Sequence, residues 1–125
     1  MIPEYLECSD DYRNMPDAER DAKCGCGTAK SWIVPDTIYG LNIKPVCCIH
    51  DYDYFKGRTQ GDRERADYRF LRNLMEAIDQ APGFVNGLLR MPRRRRALKY
   101  YEAVNAYGDD AFWAGKNRPF PYTRA

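Results

Sequence analysis

No stretch of the chain carries about 18 consecutive uncharged apolar residues, which excludes a bilayer-spanning helix. The N-terminus, MIPEYLECSDDYRN, has neither the basic flank nor the continuous apolar segment of a secretory signal. The expectation is a chain that stays in the cytoplasm, where it is made, or leaves by a non-classical route. Five cysteines are too few for a disulfide-dense mini-scaffold, and there is no internal repeat or low-complexity tract. What remains is a single globular domain over residues 1–125, with 44% apolar and 30% charged residues around one core.

What is present is unevenly spread. The net charge is only +2, yet the part after residue 57 holds most of the arginine, including RRRR at 93–96. Such a run is a solvated helix start or an attraction for anionic lipid or nucleic acid. No specific nucleic-acid binding is expected, and the oligomeric state is not legible. Cys24 with Cys26, and Cys47 with Cys48, form two close pairs that leave Cys8 as the odd one. A disulfide between the two regions competes with a four-cysteine zinc site, but adjacent cysteines fit one tetrahedral ion poorly.

Residues 1–23, broken by Pro3 and Pro16, read as an irregular arm with a helical turn or two in DAERDA. In CGCGTAKSWIVPDTIYGLNIKP, glycines and prolines interrupt any helical period, so 24–45 reads as a structured Cys/Gly-rich loop. From Pro45 the pattern changes: Cys47, His50, Asp51 and Tyr54 recur at i, i+3, i+4 and i+7, which predicts a helix over 45–56. KGRTQGD closes it with glycine and opens the next with Asp62 or Thr59 as cap.

A second helix over 62–80 aligns Ala66, Phe70, Leu71, Leu74, Met75 and Ile78 on one stripe. Its short connection predicts antiparallel packing on the first. APGFVNGLLRMP reads as a break, and RRRRALKYYEAVNAYG as a third helix with Leu98, Tyr101, Val104 or Asn105, and Tyr107 or Gly108 inward and Gly108 as its stop. The predicted fold is mainly α, with the core in 24–108 and a tail over 109–125.

Asp67 lies within the apolar stripe of the second helix, where a carboxylate is costly unless a hydrogen-bonded or charged partner meets it. Arg63, Arg65 and Arg69 are possible partners. So is His50, the only histidine, on the inner face of the first helix. An imidazole held by a carboxylate through one nitrogen has its other nitrogen fixed as an acceptor, the arrangement of a general base. Asp51 points about 100° away around the helix. Beside a glycine-rich loop whose carbonyls turn inward, it suits a hard cation such as Ca²⁺.

Taken in order, these pieces resemble the phospholipase A2 superfamily, nearest its short bacterial and fungal branch. The resemblance rests on Cys47-Cys48-Ile49-His50-Asp51, Tyr54 beyond it, PDTIYGLNIKPVC before it, RADYRFLRNLM as the second catalytic helix and ALKYYEAVNAYG as the closing helix. It covers roughly residues 24–108. The segment between Cys26 and His50 is longer than the bacterial enzymes usually show. The aspartate they place two residues before the loop cysteine is missing, and Asp53 stands where animal enzymes carry a cysteine.

The resemblance implies a phospholipase A2-like fold in which two antiparallel helices carry a His-Asp dyad. It implies Ca²⁺-dependent hydrolysis of the sn-2 ester of phospholipids at a membrane surface. His50 would be general base on water, Asp67 would orient it and Tyr54 would support the pair. Asp51 would bind Ca²⁺ with the loop at Cys26 and Gly27, and the Gly27 amide would serve the oxyanion. The family's loop-holding disulfide falls on Cys47 with Cys26 or Cys24. Trp32, Ile33, Ile38 and Tyr39, or Phe84, Val85, Leu88 and Leu89, would meet lipid. The competing reading is a non-catalytic structural or binding protein, such as a virion or phage component, that keeps the fold. A particle protein of that kind, or a toxin exported through a needle-like system, would also do without a signal.

Overall fold

The computed structural model describes residues 2–24 and 34–116. It is mainly helical: α1 (Asp10–Asn14), α2 (Asp17–Lys23), β1 (Thr37–Ile38), β2 (Leu41–Asn42), α3 (Lys44–Lys56), α4 (Gln60–Gln80), α5 (Phe84–Tyr107) and α6 (Asp109–Trp113).

α3 starts with Pro45 in its first turn, where the missing N–H costs no helical bond. α4 starts on a capping box. Thr59 accepts from the Asp62 amide at 3.0 Å, and the Asp62 carboxylate accepts from the Thr59 amide at 3.2 Å. Gly57 lies beside Asp62 at one end of the pair, while His50, earlier in α3, meets Asp67, later in α4, so the two helices are antiparallel, as predicted. α4 turns Phe70, Leu74 and Ile78 into the core, together with Asn73 and Ala77, while Leu71 and Met75 sit at its margin.

The third helix differs from its prediction. α5 starts at Phe84, so FVNGLLRMP is helix and not a break. Gly83 supplies the turn before it at φ 95°, and Pro92 lies within it on an exposed position. The carbonyl that Pro92 leaves without an in-helix donor belongs to the exposed Leu88, where water can take the donor's place. The inward stripe is also displaced: Arg93, Ala97, Tyr100 and Val104 are buried, whereas Leu98 and Tyr107 are exposed. The run of arginines is not uniformly solvated either. Arg93 is buried and donates to the carbonyls of Ile38 (3.1 Å) and Tyr39 (2.7 Å), and Arg94 pairs with Asp79.

Ile38 lies in the core with no exposed surface, which removes it from any lipid-facing set. The hairpin it belongs to turns at Tyr39 and Gly40, both at positive φ (44° and 79°), the geometry that matches strand twist in two-residue hairpins. A tyrosine in that region is strained, and the Arg93 clamp on its carbonyl holds it there.

The described residues of the arm and the first residues of the tail are both packed. Leu6 and Tyr12 belong to the main core. Asn73, almost wholly buried, accepts from the Glu7 amide and donates to the Glu7 carbonyl, both at 2.8 Å. The Tyr12 and Tyr52 rings lie 4.8 Å apart, and the Tyr52 hydroxyl donates to Asp11, fixing α1 to α3. Residue 108 is no packing boundary: Phe112 and Trp113 of α6 form a second cluster with Tyr54 and Ala66.

Candidate functional site

The antiparallel pairing of α3 and α4 brings His50 and Asp67 together. His50 Nε2 lies 2.8 Å from Asp67 Oδ1, with His50 7% and Asp67 1% exposed. The Tyr54 hydroxyl, one turn beyond His50, donates to the same oxygen at 2.6 Å. A carboxylate only accepts, so Nε2 is the protonated ring nitrogen and Nδ1 carries the lone pair. The imidazole is wedged between the rings of Tyr54 (4.2 Å) and Phe70 (4.7 Å), which fixes its plane. Burial pushes the Tyr54 phenol far above its ordinary pKa, and the Asp67 charge and hydrogen bond add to this. Tyr54 is therefore a permanent donor.

Of the three arginines weighed against His50, Arg65 pairs with Asp62 and Arg69 with Asp53. Only Arg63 approaches Asp67, with its Nε 4.0 Å from Oδ2. Arg63 is itself buried, and donates to Asp109 (3.2 Å) and to the carbonyls of Val104 (3.2 Å) and Asn105 (2.7 Å). Neither Arg63 Nε nor Asp67 Oδ2 has a hydrogen-bond partner among the described residues. The arrangement is a chain, His50–Asp67–Arg63–Asp109, with alternating charge behind one imidazole. Arg63 has a sequence signal, since it lies one helical turn before Asp67. Asp109, distant in sequence, has none.

A disulfide joins the Cys24 region to the first helix, as expected, but through the other of the two adjacent cysteines. It joins Cys24 to Cys48, with a Cα separation of 4.9 Å, so the pairing of Cys47 with Cys24 does not form. Cys48 lies one turn before Tyr52, on the side of α3 that α1 and α2 cover, whereas Cys47 is about 100° around the helix and packs against the core. Its pairing with Cys26 falls outside the described residues, as do Cys26 itself, Gly27, Trp32 and Ile33.

Asp51 is half-buried one turn after Cys48. The disulfide therefore anchors Cys24, at the start of the glycine-rich CGCG stretch, within a helical turn of this carboxylate. Among the described residues no group of three or more His, Cys, Asp or Glu side chains is placed to hold a metal. As a hard oxygen donor Asp51 suits Ca²⁺ in kind, and the remaining oxygens of such a site would have to come from outside the described residues. The chain matches no family model, no curated protein and no solved structure in the comparisons made.

Proposed function

We propose that the chain is a phospholipase A2-like hydrolase that cleaves the sn-2 ester of phospholipids at a membrane surface, with Ca²⁺ as cofactor. The observation that carries this reading is the buried Tyr54–Asp67–His50 relay, which leaves Nδ1 as the imidazole's acceptor. In it, His50 Nδ1 takes a proton from water as the water attacks the ester carbonyl. Asp67 holds the ring and stabilises the imidazolium that forms, and the same proton then passes to the departing alcohol. Tyr54 keeps Asp67 from rotating. Asp51 would hold the ion with the Cys26 and Gly27 loop, and the Gly27 amide would serve the oxyanion. When bound, Ca²⁺ supplies Lewis-acid polarisation of the carbonyl.

The carboxylate is desolvated, tied to two donors and backed by a buried arginine. A histidine with only a structural task needs none of this, since one hydrogen bond to solvent or backbone satisfies it. The test is fatty-acid release from mixed phospholipid vesicles with Ca²⁺ and with chelator. The hydrolase reading expects release that chelator stops. A structural particle component expects none under either condition.

A further inference from the structure

We infer that the outward face of α5, together with Tyr39, is a docking surface for an anionic phospholipid leaflet. Phe84, Val85, Leu88 and Met91 are 80%, 66%, 63% and 56% exposed. Positions 84, 88, 91 and 95 recur on one stripe, opposite the buried stripe of Arg93, Ala97, Tyr100 and Val104. Two turns of large apolar side chains thus face water and continue directly into cations. Past Met91 the same face carries Arg95 and Lys99, with Arg96 on its flank toward the hairpin, and these three with Tyr39, Pro92 and Tyr100 line an open groove of about 450 Å³. No aspartate or glutamate occurs between Asp79 and Glu102, and Asp79 is occupied by Arg94. The groove contains no acidic side chain.

Tyr39 completes the face from a different element. Its carbonyl is held by Arg93, its hydroxyl accepts from Arg96 at 2.8 Å, and the Arg96 guanidinium lies 5.0 Å over its ring. The hairpin keeps this half-exposed aromatic at a left-handed φ beside the cations. An apolar stripe bordered by cations in an acid-free groove, with an amphipathic aromatic beside them, complements the headgroup boundary of an anionic bilayer, where acyl carbon and phosphate lie a few ångströms apart. Single-stranded nucleic acid would match the cations and stack on Phe84 and Tyr39, but it leaves the exposed Val85, Leu88 and Met91 without an apolar partner.

The inference deepens the lipid-hydrolase reading and rests on it for its biological purpose, but it is read out by binding alone. The full chain, in chelator, is sedimented with phosphatidylcholine vesicles and with vesicles that also contain phosphatidylglycerol. The expected result is at least about tenfold tighter binding to the anionic vesicles, since each cation near such a surface contributes severalfold. Arg95→Glu with Lys99→Glu should remove that preference. Leu88→Asp with Met91→Asp should weaken binding even at high salt, where the cations are screened. Circular dichroism and the thermal transitions of the same variants show whether they remain folded.

Equal partition to both vesicles, or variants that bind like the parent, would overturn the inference. So would an oligonucleotide that binds more tightly than the vesicles, or a dimer that Leu88→Asp dissolves. Docking without any ester cleavage in Ca²⁺ removes the hydrolase reading and leaves this one. Cleavage without anionic preference does the reverse.

Discussion

Gly108 leaves the space that the Tyr54 hydroxyl occupies: a Cβ at 108 would stand 2.5 Å from Tyr54 Oη. The helix stop is therefore also a clearance for the group that holds Asp67. Its φ of −81° is ordinary, so close approach and not backbone freedom requires the glycine. Gly108→Ala should cost about 1–3 kcal/mol as an overpacked site. Tyr54→Phe alone should cost about 1.5–3 kcal/mol, the range for a buried hydrogen bond to a charged group. A Cβ at 108 would also clash with the Val104 carbonyl, so in urea titrations the double variant should lose less than the sum by the hydroxyl's share of the clash only. Strict additivity would separate the two residues.

Arg63 is the cation beside two buried carboxylates, so its removal takes a positive charge from both. Arg63→Ala should destabilise by about 3–5 kcal/mol. Arg63→Ala with Asp109→Asn should recover part of that loss. A chemical denaturation midpoint unchanged by Arg63→Ala would contradict the linked chain.

The disulfide spans 24 positions of sequence, and closing a loop of that size removes about 3 kcal/mol of unfolded-state freedom. Cys48→Ser should lower stability by that amount and abolish the effect of reductant, whereas Cys47→Ser should leave reductant sensitivity intact. The reverse pattern would assign the bond to Cys47.

The Asp11–Tyr52 bond gives the arm a pH window. Hydrogen bonds from Ser9 and then Tyr52 hold the Asp11 carboxyl down at about 2, below its usual 3.8, so its contribution is complete above pH 4 and fades as pH falls toward 2. The same bond, foremost among the causes, raises the Tyr52 phenol to about 12 from 10, so on that side the contribution is complete below pH 10 and fades toward 12. The protection factors of the α1 amides in hydrogen exchange should be flat between these limits and fall beyond both. Asp11→Asn should flatten the acid limb.

The sequence made the α3–α4 pair and its dyad legible because local signals agreed there: Pro45 in the first turn, the Thr59–Asp62 box, and a lone carboxylate among Phe70, Leu74 and Ile78. It misled at α5, where Gly87 and Pro92 signal a break but both face solvent, so nothing is lost by continuing the helix. It also misled at the cysteines. Which of two adjacent residues bonds Cys24 depends on where α1 and α2 lie, and that is set by Tyr12, Tyr52 and Asn73 from distant parts of the chain. Arg93 was hidden within a charge run, since four identical neighbours do not reveal which one faces inward.

The relay ending at His50 is the centre of the account, and the initial rate of fatty-acid release from vesicles in Ca²⁺ tests it directly, with wild type and His50→Ala side by side. The account predicts release by the wild type and a fall on the order of 10² to 10⁴ in His50→Ala, with a cooperative thermal transition retained because the smaller side chain leaves only a local cavity. Release that is equal in the two proteins, or absent from folded wild type across neutral and anionic vesicles, would contradict it.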